Sequence, residues 1–524
     1  MKLRRSLRQT YDFIVCGAGT SGSVVAARLA QQDGVHVLLL EAGGDDAGPE
    51  VTDPAQWPSN LGSERDWAFL GEPTPTLNGR RLNLNMGKVL GGSSSINAMV
   101  WSRGHKADWD HFAAESGDPD WGYQSILGYY RRIEHWQGSA DSVRRGSGGP
   151  VYVAQPQSPQ PVAQAMIEAA TNLGIPMFDS PNGEMMEGSG GASIAELRIR
   201  DGQRQSMFRS YVYPLMDQPN LTVVSNALVS RLIIEGGKVT GVEALIGGQL
   251  QQFNASCETV LSLGAIHTPK VLMQSGIGPK KELEAHGIET VRCLPGVGQN
   301  HQDHLAFGCT WEYLNPQIVG GGGCEATLYW KSKPDLMSPD MLLCQLGFAV
   351  PSPAEVGLDV PEHGWTMFAG LAQPKSRGRV RLSGSSLHDP VVIEPNSLTE
   401  PEDLATAFAT IELCRDVGNN DAFGALVKRE MVPGKLNRQE MEQFIRNSAM
   451  TFWHQTCTAK MGRDDMAVVD HKLKVYGIEN LRIADASIMP RITVGNTMAP
   501  CVVIGERAAD IILAAHNLVS PTVS

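Results

Sequence analysis

A chain of 524 residues is too long for one ordinary hydrophobic core, so two units, or one unit with a large insertion, are expected, with room to bury a cofactor completely. A formal net charge of −12 excludes nucleic acid or an anionic membrane held by bulk electrostatics, and 42% hydrophobic with 19% charged residues excludes a disordered chain. Nine cysteines at irregular spacing, without a CxxC pair, fit reduced thiols in a reducing compartment and offer no zinc site.

The opening stretch Met1 to Arg8 carries paired arginines like an export signal, but no apolar core and no small-residue cleavage site follow it. It reads as a basic lead-in to the first strand, and the protein is expected to be cytoplasmic. No apolar run reaches the roughly 18 residues that a transmembrane helix requires.

Phe13 to Cys16 is a short apolar run that ends at Gly17-Ala18-Gly19-Thr20-Ser21-Gly22, and Ser23 to Ala30 follows with helical spacing. In this strand, turn and helix, Gly17 permits the tight turn, Gly19 lets backbone approach a pyrophosphate, and Gly22 lets helix and strand pack closely. The helix N-terminus then faces the phosphates. A second apolar run, Val35 to Leu40, ends at Glu41, about where an acidic residue accepts hydrogen bonds from a ribose and repels a 2′-phosphate. These features hold a dinucleotide without separating FAD from NAD.

Gly87 to Asn97 is a second glycine and serine loop, too long for a hairpin turn. Further on come the alternating run Leu221 to Ile234, then Gly264-Ala265-Ile266-His267-Thr268-Pro269 leading to Ser275-Gly276-Ile277-Gly278-Pro279, and Leu294 to Asn300. His301-Gln302-Asp303-His304 has two histidines three apart with no further ligand cluster, and no metal is expected. In the middle of the chain, Gly378 to Leu382 and Pro390 to Ile393 alternate as strands, while Glu402 to Val417 has helical spacing with acidic residues early. Pro-rich Gln155 to Pro161 is expected to be a linker, and Gly320 to Gly323 a mobile loop. Near the end, Leu481 to Ser487 reads as an apolar strand closed by the carboxylate of Asp485. Pro500 suits the first turn of a helix through Asp510.

The Gly87 to Asn97 loop and the Gly264 to Pro279 stretch closely resemble the two signatures of the glucose-methanol-choline oxidoreductases, and the resemblance extends over Leu294 to Asn300 and His454 to Asp510. It implies an α/β fold in which a Rossmann-like FAD-binding domain (1–155, 205–310 and 450–524) carries a discontinuous α+β substrate domain built on an antiparallel sheet (156–204 and 311–449). It also implies FAD. Carried over by position, Gly17, Gly19 and Gly22 meet the pyrophosphate, Glu41 the adenosine ribose, and Gly92, Asn97 and Met99 the flavin. Asp485 lies near the pyrophosphate and ribityl chain, and Val229 either contacts the adenine side through its backbone or is an ordinary strand residue. Thr20, Ser21, Ala42, Ser93, Ala98, Val100, Trp453, Ala486, Asn496 and Thr497 count with them as cofactor contacts. Ile96 stands where some members carry the histidine that bonds the flavin, so a non-covalent cofactor is expected.

His454 and Asn496 correspond to the family's catalytic histidine and its partner. Oxidising an alcohol removes a hydroxyl proton and passes a hydride to flavin N5, so the oxygen needs a base and a donor together. A near-neutral imidazole can take the proton, and a neutral amide can donate to the developing alkoxide. If the helix after Asn496 points its N-terminus at the flavin pyrimidine, its partial positive charge favours the reduced ring. Two departures stand out: Cys457 where many relatives carry glycine, and Met498 where many carry a second asparagine. The expected function is oxidation of a small-molecule alcohol, primary and apolar or aromatic given Phe452 and Trp453, to an aldehyde, with oxygen or another acceptor. A flavin-containing lyase of the hydroxynitrile lyase type is the alternative, with an NAD-dependent dehydrogenase and a non-catalytic flavin-binding protein behind it. A homo-oligomer is compatible with the sequence.

Overall fold

A computed structural model describes residues 7–317, 319–351, 353, 356–358 and 360–519; the paired arginines of the lead-in, Arg4 and Arg5, lie outside the described residues. Two seven-stranded sheets carry the architecture, which is the α/β fold with a Rossmann-like nucleotide layer and a sheet-based second layer. In the first sheet, Leu221–Val224, Val37–Leu40, Thr10–Cys16 and the end of Gln249–Leu261 run parallel, and Leu481–Ile483 joins the far side. The long strand Gln249–Leu261 does double duty. Its first half pairs antiparallel with Lys238–Ile246, which pairs in turn with Ala227–Glu235.

The parallel strands are apolar on both faces because helices cover them, so they read as continuous runs and not as alternation. Thr20–Ala30 and the C-terminal Met498–Ala515 pack together on this sheet. Gly22 sits at the tightest point: a Cβ there would lie 1.9 Å from the Gly17 carbonyl oxygen and 3.0 Å from Ser262 Cβ. Its role is packing.

The second sheet is antiparallel, in the order Val427–Val432, Leu305–Tyr313, Gly364–Leu371, Met341–Leu346, Cys324–Trp330 and Gly191–Ile194. Alternate side chains face opposite ways. Trp311, Trp365 and Phe423 stack at 4.6 and 4.8 Å in the layer shared with helices Pro161–Asn172 and Pro401–Gly418, while Ala306, Cys344, Leu346 and Phe368 belong to a separate cluster on the other face.

Several expectations shift in detail. The 378–382 and 391–394 strands pair with each other but belong to a separate three-stranded sheet with Gln299–His301. Pro161 opens a helix, so the Pro-rich stretch ends in regular structure. The glycine run expected to be mobile is tied down: Trp57 Nε1 donates to the Gly322 carbonyl at 2.8 Å, and the Gly347 amide donates to the Gly323 carbonyl at 2.8 Å. Its glycines are explained by positive φ at Gly321, Gly322 and Gly323.

Because Gly22 has no room for a methyl group, Gly22→Ala is expected to destabilise the protein by about 2–3 kcal/mol. Denaturant unfolding checks this. A variant within 0.5 kcal/mol of the parent (~0.5 is the usual surface-substitution scatter) would contradict the packing role.

Candidate active site

The two sheets and the loops between them enclose a cavity of about 470 Å3. At one end it is walled by the turn after the first strand, with Gly17, Gly19, Thr20 and Ser21, and by Glu41 and Ala42 at the end of the second. Glu41 Oε2 accepts the Ala18 amide and Oε1 the Gly43 amide, each at 2.9 Å, which fixes the carboxylate and leaves lone pairs directed elsewhere. Burial pushes its pKa up to about 7. Asp485 accepts from the Gly264 amide (2.9 Å), Thr268 Oγ1 (2.6 Å) and the Ser487 amide (2.8 Å), and burial raises its pKa as well.

The opposite end is assembled by 300–304, the segment whose histidines suggested metal ligands at first sight. Asn300, held at φ 66°, donates from Nδ2 to the carbonyls of Cys457 (3.4 Å) and Pro490 (3.2 Å). Gln302 exchanges backbone hydrogen bonds with Thr456, and its Oε1 accepts the Ile492 amide at 3.3 Å. Asp303 accepts the His454 amide at 2.8 Å and Gln455 Nε2 at 3.0 Å. His304 Nδ1 lies 2.9 Å from His454 Nδ1, with the two rings nearly perpendicular. On its other side, His454 Nε2 faces Asn496 Nδ2 at 3.3 Å.

That arrangement settles a tautomer. With Asn496 Nδ2 donating, His454 Nε2 is an acceptor, so its proton sits on Nδ1 and is donated to His304 Nδ1. Burial, reinforced by the neighbouring His304, holds the His454 pKa well below the usual imidazole range, and burial brings His304 down to about 3. Both rings are neutral at pH 7. His454 therefore presents an unprotonated nitrogen beside an amide donor.

Of the residues expected to contact a cofactor, Gly17, Gly19, Thr20, Ser21, Glu41, Ala42, Gly92, Ser93, Asn97, Ala98, Met99, Val100, Val229, Trp453, Asp485, Ala486, Asn496 and Thr497 all line this one cavity, with His454. Gly22 does not. It sits instead in the tight helix-to-strand contact, the packing role expected for the third glycine of the turn. Cys457, standing where many relatives carry glycine, adopts φ 74°, the left-handed region that glycine enters without steric cost. Met498 is the first residue of the C-terminal helix and lines the cavity.

Around His454 the wall is aromatic: Phe452, Trp453, Phe368, Phe348 and Trp57 surround it, with Phe452 and Phe368 edge to face at 4.6 Å. Sequence reasoning missed Trp57, Phe348, Phe368 and the 300–304 scaffold. The aromatic residues come from strands and loops far apart in the chain and share no motif; only the quoted His301 to His304 segment held a usable signal.

FAD fits this cavity on three observations. The helices Thr20–Ala30 and Met498–Ala515 both open toward it with no side-chain cap on their first-turn amides, leaving donors for phosphate or carbonyl oxygens. Gly19 and Gly92 approach so closely that a Cβ on Gly92 would lie 2.7 Å from Gly19 Cα, leaving a narrow backbone cradle. The Asn496 Oδ1 atom is buried without a partner among the described residues.

Fold and site thus define a dinucleotide-binding enzyme with a histidine and amide pair at the far end of its cavity. Comparison makes this specific. The chain matches the GMC oxidoreductase family over residues 11–306 and again over 374–505. It is 35% identical to an oxygen-dependent choline dehydrogenase of Sinorhizobium medicae over 537 residues, covering 97% of this chain and 96% of the relative. Pyridoxine 4-oxidase from Mesorbium loti superposes with a TM-score of 0.90 at 32% identity, covering 95% of this chain and 98% of that one. A formate oxidase from Aspergillus oryzae, a variant examined for its effect on FAD modification, superposes with a TM-score of 0.88 at 26% identity over 98% and 100% of the two chains. The chain belongs to the GMC oxidoreductase family and is an FAD-dependent oxidoreductase. Among the described residues, no helix is long and apolar enough to cross a membrane.

Asp303→Ala strips the acceptor from donors that include the His454 amide and Gln455 Nε2, and is expected to cost on the order of 3 kcal/mol. Asp303→Asn, which keeps one acceptor, should cost less. Equal melting temperatures for the two variants would show that Asp303 does not anchor the His454 segment.

Proposed function

We propose that this enzyme oxidises a primary alcohol of apolar or aromatic character to the aldehyde, with His454 as the base and Asn496 as the donor to the substrate oxygen. The observation that carries this reading is the neutral His454 Nε2, 3.3 Å from the Asn496 amide, at the aromatic end of the cavity. Bound FAD supplies the acceptor for a hydride. The protein's own residues do the rest: His454 Nε2 takes the hydroxyl proton, Asn496 donates to the oxygen as negative charge develops there, and the aromatic wall excludes water. His304 holds the ring from behind, so the imidazole keeps one tautomer while it accepts the proton.

Choline and pyridoxine, in the names of two relatives, are both alcohols, which supports a CH–OH donor here. The wall around His454 argues against choline itself. Among the described residues, the only carboxylates lining the cavity, Glu41 and Asp485, belong to the nucleotide strands, so a quaternary ammonium would find aromatic rings without a counter-charge. Ile96, at the position where some family members carry the bonding histidine, has no atom to link a flavin; the cofactor is held non-covalently on this reading.

Anaerobic mixing with primary alcohols is expected to bleach the flavin, benzylic and long-chain alcohols acting at lower concentration than choline. His454→Ala should keep its FAD and reduce it at least about a hundredfold more slowly. Unchanged colour across the panel would point to lyase chemistry, and near-normal reduction by the variant would mean another base. Separately, acid precipitation of the holoenzyme should leave the yellow colour in the supernatant; colour in the pellet would contradict non-covalent binding.

A further inference from the structure

Behind the cavity wall lie two arginines that neither the motifs nor the mechanism uses. Arg198 and Arg204 are fully buried, at 0% and 1% exposure. Neither is paired with a carboxylate among the described residues; the charge that Arg204 feels is that of Arg198, which is repulsive. Burial alone brings Arg198 down to about 9, and burial together with the charge of Arg198 depresses Arg204. Burying one unpaired cation is costly, and burying two together costs more, unless something else in the assembled molecule supplies the anion.

Both guanidinium groups converge on one side chain. Arg198 Nη2 donates to Asn97 Oδ1 at 2.9 Å and Arg204 Nη1 donates to the same atom at 3.1 Å, while the Met99 amide donates to it at 3.0 Å. Arg204 also donates to the carbonyl oxygens of Asn97 (2.5 Å), Ser94 (3.4 Å) and Val51 (2.8 Å), and Arg198 to that of Gln205 (2.5 Å). With three donors on Oδ1, the Asn97 amide has only one orientation. Its NH2 group donates to no acceptor among the described residues, and Asn97 lines the cavity. The arrangement therefore delivers two N–H donors into the cavity, backed by two positive charges in a low-dielectric wall.

We propose that Arg198 and Arg204 are positioning residues for FAD: they lock the Asn97 amide with its NH2 toward the cofactor, and their unpaired charge favours the reduced, negatively charged cofactor over the oxidised, neutral ring. A hydride brings two electrons and one proton, so the isoalloxazine gains one negative charge on reduction. That charge is the anion the buried pair lacks. The inference rests on FAD binding and not on the identity of the alcohol, so it survives or fails independently of the proposed substrate.

The test is the two-electron midpoint potential of bound FAD, measured by dye equilibration without any alcohol, in Arg198→Met, Arg204→Met and the corresponding Lys variants. Each Met variant is expected to disfavour reduction by about tenfold, a negative shift of ~30 mV, while each Lys variant stays within about threefold of the parent. Met variants that hold FAD at the parental potential, or Lys variants that shift as far as Met variants, would overturn the proposal. Should the Met substitutions prevent folding, the Lys variants decide alone: retention of the parental potential supports the charge, and a tenfold change overturns it.

Discussion

The site depends on five consecutive residues that touch neither substrate nor cofactor in the proposed chemistry. Asn300 to His304 run between two segments more than 40 residues apart in the chain, those carrying His454 and Asn496, and bind both. Without that crossing, the 3.3 Å approach of Asn496 to His454 Nε2 would rest on two loops with little regular structure. The constraint is polar and local. Side-chain hydrogen bonds made by Asn300, Gln302 and Asp303 add to the single backbone pair of Gln302 with Thr456, where a helix or sheet would have supplied a longer ladder.

Burial then does the chemical tuning. His301 and His304 are buried and His267 and His454 half-buried at the cavity, and loss of water depresses the pKa values of all four, while Glu41 and Asp303 are each pushed up to about 7 by the same cause. Desolvation penalises charge whatever its sign, so the interior is drawn toward neutrality. His454 gains from this, because a base must be unprotonated to act. Arg198 and Arg204 are the exception, since a guanidinium resists deprotonation and keeps its charge even when buried.

The second sheet gives the cavity its character at the catalytic end. Its strands are buried on both faces, with one set of side chains facing helices and the alternate set, Phe368 and Leu346 among them, facing the cavity. The nucleotide end carries its carboxylates on the strand ends of the other sheet, at Glu41 and Asp485. The two layers thus divide the work: one offers hydrogen bonds and helix ends, the other an apolar wall.

The glycine loops, the acidic residue ending the second strand, and His454 with Asn496 were legible in the sequence because each has a local physical requirement: a positive φ, a close backbone approach, or a group able to take or give a proton. Such requirements leave particular residue types at particular spacings, and they carried both the fold class and the family. Cys457 at φ 74° shows the limit of that logic, since a side chain occupies a conformation where glycine would be expected. The substrate wall and the two arginines left no trace of this kind. Phe368 and Trp57 are apolar residues like many others, and Arg198 and Arg204 look like surface charges in a polar stretch. Only the tertiary structure decided that the aromatic residues would meet around His454, and that both arginines would be buried on a single amide. Their significance comes from contacts between distant segments, whereas the sequence by itself determined the groups whose chemistry is complete within a turn or a strand end.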